Sequence, residues 1–216
     1  MIGIGITTTP ERKAIYEESL AEWYEFLPKD AYIVVINDLK YKGIAHSKNK
    51  CLAQLYELGC NEFFLVDDDV RPLKMGWELP YINHPEPHLM YQFKLSGKPA
   101  NDMRVLYKDD ETVAYSHTRG AFIYLNKEVL DTVGGFDEEY NPYGYEHPDL
   151  TNRIYNAGLT KYRAMDVPNS KELIYCLDQD GKVASSVPTR ERSLSLRRNA
   201  ALYRRNKNSK EYKRFM

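Results

Sequence analysis

Short apolar runs alternate with amphipathic segments along the first third of the chain. The runs are typical of buried strands, and the segments between them carry apolar residues at helical spacing. The predicted strands are 2–6, 31–36 and 62–66, and the predicted helices are 10–27 and 44–58. Thr9 and Pro10 suit the start of the first helix, because a hydroxyl can cap a helix and proline is tolerated at its first position. This alternation predicts a parallel α/β layer.

The rest of the chain is less regular. Residues 70–100 are rich in Pro, His and aromatic residues without a clear period, which predicts a long ordered loop with functional contacts. Beyond it the pattern predicts a hairpin over 105–107 and 112–116, a strand over 121–125, and helices over 127–133 and 148–157. No internal repeat or low-complexity linker interrupts this order.

Composition favours one soluble domain. The chain has 216 residues, 43% of them hydrophobic, which suffices for a single sizeable core. No apolar run approaches the roughly 20 residues that span a bilayer, and the N-terminal run is too short for a signal peptide, so we expect a cytoplasmic protein. Cys51, Cys60 and Cys176 lack metal-ligand spacing and are expected to be buried thiols.

Positive charge is concentrated at the C-terminal end. Residues 188–216 contain ten Lys or Arg and two acidic residues, a balance of +8, whereas the whole chain has a net charge of −1 and the rest therefore carries −9. We predict a main domain over 1–187 and a basic helical extension over 188–216. The extension suits either a phosphate-binding surface or a solvated helix that packs one apolar edge.

Three carboxylates follow the third predicted strand directly. Asp67, Asp68 and Asp69 come after the apolar run 63–66, and ligands generally bind at the ends of strands in open α/β sheets. Carboxylates this close repel one another, and a divalent cation or a lysine partner relieves that repulsion. The triplet is therefore a candidate metal site, with a solvated acidic turn as the alternative.

The order of several short motifs resembles the glycosyltransferases of the GT-A fold, above all the family-2 enzymes. The motifs are Thr7-Thr8-Thr9, Asn37-Asp38, the segment 43–49, the aspartate triplet, Gly120-Ala121, the segment 133–138, and the segment 144–150 with Arg153. The resemblance covers about residues 1–165. It implies an α/β GT-A (nucleotide-diphospho-sugar transferase) fold with a mixed, mostly parallel central sheet flanked by helices.

The resemblance also implies a donor site. Such an enzyme takes a nucleotide sugar, here preferably a UDP-sugar, and uses Mn²⁺ or Mg²⁺ as a Lewis acid on the diphosphate. Asp69 would bind the metal, Asp67 the ribose or the metal, and Asp68 is assigned with them to the donor. The other implied donor contacts are Lys48, which would face the nucleotide or its phosphates, and Thr7, Arg12 and Asp38, which would hold the nucleobase and ribose.

The implied catalytic motif departs from the family pattern. Glu146 would contact the acceptor, but the next residue, usually an aspartate that acts as the general base, is His147. An imidazole can accept a proton at neutral pH, and it can also bind Mn²⁺, so both roles are open for His147. If His147 binds metal, Glu146 or Asp149 becomes the candidate base, or the enzyme retains configuration; inversion is favoured. Asp149 can instead form an intrahelical ion pair with Arg153.

The acceptor is left open by the sequence. Tyr145 and Trp77 are candidates to line a sugar or base pocket. The acceptor is expected to be either a modified nucleic acid, with the basic extension on DNA, or a surface glycan, with the extension on an anionic membrane surface. Small chains of this kind are also similar to glycosyltransferases of bacteriophages, which would place the protein in the host cytoplasm. The alternative class is a nucleotide-sugar or carbohydrate-binding module whose catalytic motif has decayed.

Overall fold

A computed structural model describes residues 1–96, 103–181 and 183–216. The strands are β1 (Ile2–Thr8), β2 (Ala31–Asn37), β3 (Glu62–Asp67), β4 (Val70–Pro72), β5 (His88–Met90), β6 (Val105–Lys108), β7 (Val113–Tyr115), β8 (Phe122–Asn126), β9 (Met165–Asp166) and β10 (Ile174–Cys176). The helices are α1 (Lys13–Glu25), α2 (Ile44–Glu57), α3 (Leu79–Ile82), α4 (Lys127–Val133), α5 (Glu146–Asn156) and α6 (Thr189–Asn206).

A mixed five-stranded sheet forms the centre of the fold. Its order is β2-β1-β3-β8-β5. Strand β1 pairs in parallel with both β2 and β3, whereas β8 is antiparallel to β3 and to β5. The remaining strands form two small sheets, β10-β4 and β6-β7-β9. The predicted α/β class and the mixed central sheet are confirmed, but only two of the four strand pairings are parallel, so the sheet is not mostly parallel as expected.

Both faces of the central sheet are buried. Along β3, Phe64 and Val66 point into one apolar cluster, and Phe63 and Leu65 point into the other. A strand covered on both faces is apolar without alternation, which explains the continuous run in the sequence. The position of Asp67 at the end of this run is thereby fixed by the core.

Several predicted boundaries shift in the structure. A 3-10 turn at Pro10–Arg12 precedes α1, and α5 begins at Glu146 rather than at residue 148. The hairpin over 105–116 is present as β6 and β7. The predicted loop over 70–100 contains β4, α3 and β5, and its residues 97–100 lie outside the described part of the chain.

The structure contradicts the prediction that Trp77 lines a ligand pocket. Its side chain is fully buried, its Nε1 donates a hydrogen bond to the Phe26 carbonyl at 3.0 Å, and its ring packs edge-on against Trp23 and Phe64. Aromatic rings in this arrangement stabilise a core. Trp77 therefore does not line a ligand pocket.

The C-terminal residues pack onto the main domain. Helix α6 lies where the basic extension was predicted to be helical. After it, the backbone of Lys213 bonds to Val133 and Gly135, and Phe215 is only 7% exposed within the cluster that includes Phe63. The end of the chain thus contributes to the core. Among the described residues, none of the helices has both the length and the apolar character that a membrane span requires.

Candidate functional site

The carboxyl ends of three parallel strands meet at one edge of the central sheet. Thr7 of β1 lies opposite Asp67 of β3, and Thr8 lies opposite Asn37 of β2. Chain segments that leave these ends must diverge, which opens a crevice above the edge. The polar motifs that follow β1, β2 and β3 in the sequence are brought together there.

A pocket of about 580 Å³ occupies this edge. Its size is in the range of pockets that hold small molecules and cofactors. Its acidic lining residues are Glu11, Asp38, Asp67, Asp68, Asp69, Asp178 and Glu191, and its basic ones are Arg12 and Arg192. Seven carboxyl groups against two guanidinium groups give the pocket a strongly negative wall, which disfavours an anionic ligand unless a cation accompanies it.

Asp68 is fully engaged within the protein. Arg12 donates from Nε to both oxygens of Asp68, at 2.7 and 2.9 Å, and Thr8 Oγ1 donates to Oδ2 at 2.7 Å. The Asp68 side chain is 3% exposed. Arg12 also donates from Nη1 to the Ala184 carbonyl at 2.7 Å, which ties the segment after residue 182 to the pocket. The acidic neighbours of Arg12 outweigh its burial and raise its pKa, so its charge is permanent.

Asp67 has a buried lysine as its partner. Lys48 Nζ lies 2.9 Å from Asp67 Oδ1 and donates to the Gly120 carbonyl at 2.8 Å, and its side chain is 1% exposed. Lys48 is therefore not a solvated lysine, and two of its three donors are committed inside the protein. Partial burial raises the pKa of Asp67, and the Lys48 charge opposes that shift.

Of the three aspartates, Asp69 is the one whose negative charge is least compensated by neighbouring groups. The contacts of its side chain are Arg12 Nη2 at 3.3 Å and the Cys176 thiol, which donates at 3.9 Å. Burial, reinforced by the charge of Asp67, raises the pKa of Asp69 to about 7 despite Arg12. A buried carboxylate that shares its one cationic neighbour with another aspartate is suited to bind a further cation.

A divalent cation fits this donor set on chemical grounds. Across the described ranges, no three His, Cys, Asp or Glu side chains converge into a group that could hold an ion alone, so Asp67, Asp69 and His147 do not form a closed site. Mg²⁺ in phosphate-binding sites is commonly held by one or two carboxylates, with water and substrate phosphates as the other ligands. Asp69 with Asp67 matches that open arrangement, whereas Asp68 is already bonded to Arg12.

Two other predicted donor residues also line the pocket. Asp38 accepts hydrogen bonds from the backbone N–H groups of Lys42 and Gly43 at 2.9 and 2.8 Å, which shapes the loop before α2. Thr7 Oγ1 donates to the Val66 carbonyl at 3.4 Å. Both residues face the pocket together with Tyr41.

Glu146 and His147 form a pair at the start of α5. Glu146 is buried, its Oε1 lies 3.1 Å from His147 Nδ1, and its Oε2 has no partner in the described structure. Burial acts to raise the pKa of Glu146, but the hydrogen bond and charge of His147 outweigh it, and the net pKa is lowered. The His147 ring packs on Gly120, where an added Cβ would lie 2.5 Å from Nδ1. Gly120 thus contacts this pair and also accepts from Lys48.

Asp149 forms the ion pair that the sequence allowed. Arg153 Nε donates to Asp149 Oδ2 at 2.8 Å, and Tyr140 donates to Oδ1 at 3.0 Å. Arg153 is fully buried and also donates to the carbonyls of Val133 and Gly135. These contacts favour a structural role for Asp149 over its candidacy as the base.

The sequence did not predict some of the residues that line the pocket. Tyr143 rather than Tyr145 faces the pocket, and the Tyr145 ring packs against the Tyr203 ring at a tilted angle instead. Arg192 of α6 lies over the Tyr143 ring at 5.0 Å. Only the crowding of tyrosines before Glu146 hinted at Tyr143; nothing local marks Arg192, since it is one of many basic residues near the C-terminus.

Comparison with solved structures identifies the architecture. PcManGT, a mannosyltransferase from Pyrobaculum calidifontis solved in complex with GDP-Man and Mn²⁺, superposes with a TM-score of 0.57 at 15% identity. The chain has the GT-A glycosyltransferase fold. The superposition covers 89% of this chain and 59% of the mannosyltransferase, so the chain spans little more than half of that protein.

Other comparisons match less of the chain or match it less closely. Residues 103–174 match a family model described as the N-terminal domain of galactosyltransferase, which is about a third of the chain. A197 from STIV aligns over 87% of this chain and 100% of its own length at 12% identity, with a TM-score of 0.45. A search of curated protein sequences finds no match.

Proposed function

We propose that this protein transfers a sugar from a nucleotide sugar to an acceptor hydroxyl with the help of a divalent cation. The observation that carries the proposal is the acidic pocket at the ends of β1, β2 and β3, in which Asp69 has only the Arg12 guanidinium as a cationic neighbour and shares it with Asp68. A nucleoside diphosphate is anionic, and this wall would repel it in the absence of metal. A cation held by Asp69 would offset the charge of this carboxylate and the repulsion between the acidic wall and the diphosphate.

In this proposal each aspartate has a different role. Asp69 holds the cation, and Asp67 contributes to it or to the ribose while Lys48 fixes its orientation. Asp68 holds Arg12 in place. When bound, Mn²⁺ or Mg²⁺ acts as a Lewis acid that stabilises negative charge on the departing diphosphate.

The donor remains a nucleotide sugar of open identity. UDP-sugar is the expectation from the sequence, and the mannosyltransferase of similar fold was solved with GDP-Man. We assign the nucleoside to the side of the pocket formed by Thr7, Asp38 and Tyr41, which lies at the ends of β1 and β2. Both uridine and guanosine diphosphates therefore belong in the first test.

Glu146 and His147 are proposed to activate the acceptor. Glu146, whose pKa is lowered, stays ionised and orients the imidazole through Nδ1. His147 Nε2 has no partner within the described residues and can take the proton of an acceptor hydroxyl. A base from the protein suits an inverting transfer.

Isothermal titration of UDP, GDP, CDP and dTDP, with and without Mn²⁺, tests the donor site. We expect one nucleotide to bind in a metal-dependent manner, and we expect Asp69→Asn to abolish that dependence. Asp110→Asn, which removes an exposed carboxyl from the β6–β7 turn, is the matched control and should bind as wild type does. If none of the four nucleotides binds with Mn²⁺, the proposed donor site is wrong.

Donor hydrolysis separates the enzyme from a decayed binding module. An active transferase slowly releases sugar to water, and Glu146→Gln should reduce this release while nucleotide binding persists. Binding without release from any of the corresponding nucleotide sugars, even with a panel of glycan and nucleic-acid acceptors, would favour the binding module.

A further inference from the structure

Helix α6 has two unlike faces. Its inner face includes Ser195 and Asn199, which are 5% and 0% exposed. Its outward face carries Arg190, Leu194, Arg197, Arg198, Arg204 and Arg205, all of them exposed. We call this set the arginine face. It is a single helical stripe, because its members recur at intervals of three, four and seven residues.

The inner face is fixed to the main domain. Asn199 Nδ2 lies 3.0 to 3.1 Å from three carbonyls, those of Tyr140, Tyr143 and Gly144, and donates to them. Asn152 donates to the Tyr203 hydroxyl at 2.9 Å. The arginine face is consequently displayed on a rigid support rather than on a loose tail.

Most of the positive charge on this face is uncompensated. Arg205 lies 3.5 Å from Glu139, an exposed contact that contributes little. Arg190, Arg197 and Arg204 have neither an ion pair nor a hydrogen bond among the residues that the structure describes. From residue 190 to 205 a helix rises about 22 Å, so five guanidinium groups share one edge of that length. Such an array attracts a ligand with regularly spaced negative charges.

We propose that the arginine face binds the sugar-phosphate backbone of a nucleic acid. All six basic residues of α6 are arginines, whose planar fork pairs with phosphate oxygens in two hydrogen bonds. An anionic bilayer is the less suitable partner, because interfacial helices insert a broad apolar face and Leu194 is the one large apolar side chain on this stripe. The binding does not depend on the proposed transfer reaction.

Helix α6 lies between the arginine face and the pocket. Arg192, on the inner side of the same helix, lines the pocket and contacts Tyr143. The arginine face points away from that inner side, so a nucleic acid bound to it would be separated from the pocket by the helix.

Point substitutions test the arginine face better than removal of residues 188–216, since Phe215 is part of the core. The test variant is Arg197→Gln/Arg198→Gln/Arg204→Gln. The matched control is Lys29→Gln/Lys74→Gln/Lys108→Gln, which removes the same charge from exposed positions elsewhere. Thermal melting and Mn²⁺-dependent nucleotide titration verify that both variants are folded.

Binding is measured by fluorescence anisotropy of labelled single-stranded and duplex DNA of about 20 nucleotides, at several KCl concentrations. Five phosphate contacts predict a slope of log K against log salt of about −3.5 for single strands and about −4.5 for duplex. The test variant should lose at least about tenfold in affinity near 100 mM salt, and its slope should fall to about −1.5 to −2. The control should change by less than about twofold.

Three results would overturn the proposal. One is no binding of either DNA by the wild type at low salt. Another is an equal loss in the test and control variants, which would show that net charge rather than the arginine face governs binding. The last is sedimentation with phosphatidylglycerol vesicles without binding to DNA, which would assign the face to a membrane surface.

Discussion

Replacement of Lys48 by methionine tests how the aspartates are held. Lys48 is 1% exposed and contacts both Asp67 Oδ1 and the Gly120 carbonyl. Methionine keeps the length and apolar stem of the side chain but removes the charge and both hydrogen bonds. Asp67 would then stand beside Asp68 and Asp69 without its lysine.

The expected loss of stability follows from these contacts. Removal of one partner from a fully buried ion pair costs about 3 to 5 kcal/mol. The Asp67 side chain is 34% exposed, so water compensates part of the loss and we expect about 2 to 3 kcal/mol. For a chain of this size the melting temperature should fall by about 5 to 10 °C.

Differential scanning fluorimetry with and without Mn²⁺ is the assay. Because the variant leaves two uncompensated carboxylates in the pocket, Mn²⁺ should raise its melting temperature more than it raises that of the wild type. Lys50→Met, two residues along α2 and exposed, is the control and should melt as wild type does. A Lys48→Met protein that melts within about 1 °C of wild type would refute the argument that Lys48 holds Asp67 in place.

Further predictions concern the pocket, the core and the catalytic pair. Burial raises the pKa of Asp69 to about 7 from 3.8, so the metal-free protein should lose stability as pH rises across that window while Mn²⁺ affinity grows. In Asp69→Asn, melting curves at pH about 6 and 8 should show a smaller loss of stability, because burial also raises the pKa of Asp166 to about 7, and the gain in Mn²⁺ affinity should disappear. Trp77→Ala should lower the free energy of unfolding in urea by about 3 to 5 kcal/mol, and the folded variant should bind nucleotide with unchanged affinity in titrations. Glu146→Gln should leave nucleotide affinity unchanged and reduce donor hydrolysis at least about tenfold, measured as released sugar. Asn199→Ala leaves three carbonyls without their donor and should lower the free energy of unfolding by about 2 to 3 kcal/mol in the same urea assay.

Local patterns were sufficient to predict four of the five strands of the central sheet, β1, β2, β3 and β8, whereas β5 lies in the segment that was predicted as a loop. The strand β3 and the turn of aspartates after it follow from an apolar run that ends abruptly, because burial on both faces demands an unbroken run. The hairpin of β6 and β7 follows likewise from local turn chemistry at Asp109, whose Oδ1 accepts from the N–H groups of Glu111 and Thr112. Each of these features is determined by residues that are close together in the sequence.

The features that the sequence did not reveal depend on distant contacts. Lys48 was expected to face a nucleotide, but the Gly120 carbonyl, 72 positions away, helps to bury it. Trp77 was expected in a pocket because its loop shows no period, yet α1 and β3 supply Trp23 and Phe64 around it. The roles assigned to Glu146, His147 and the donor residues remain predictions that the proposed titrations and hydrolysis assays test.

The three neighbouring aspartates show how one fold can make identical side chains chemically different. Asp68 is paired with Arg12 and Thr8, and Asp67 is paired with Lys48. Asp69, in contrast, has a pKa of about 7 because it is buried and its nearest guanidinium nitrogen is 3.3 Å away. If the triplet served only as an acidic turn, burial of the Asp69 carboxylate would destabilise the fold without a compensating interaction, because an exposed carboxylate would stay fully hydrated. A cation bound at Asp69 removes that cost, which is why metal binding should stabilise the wild type and should not stabilise Asp69→Asn.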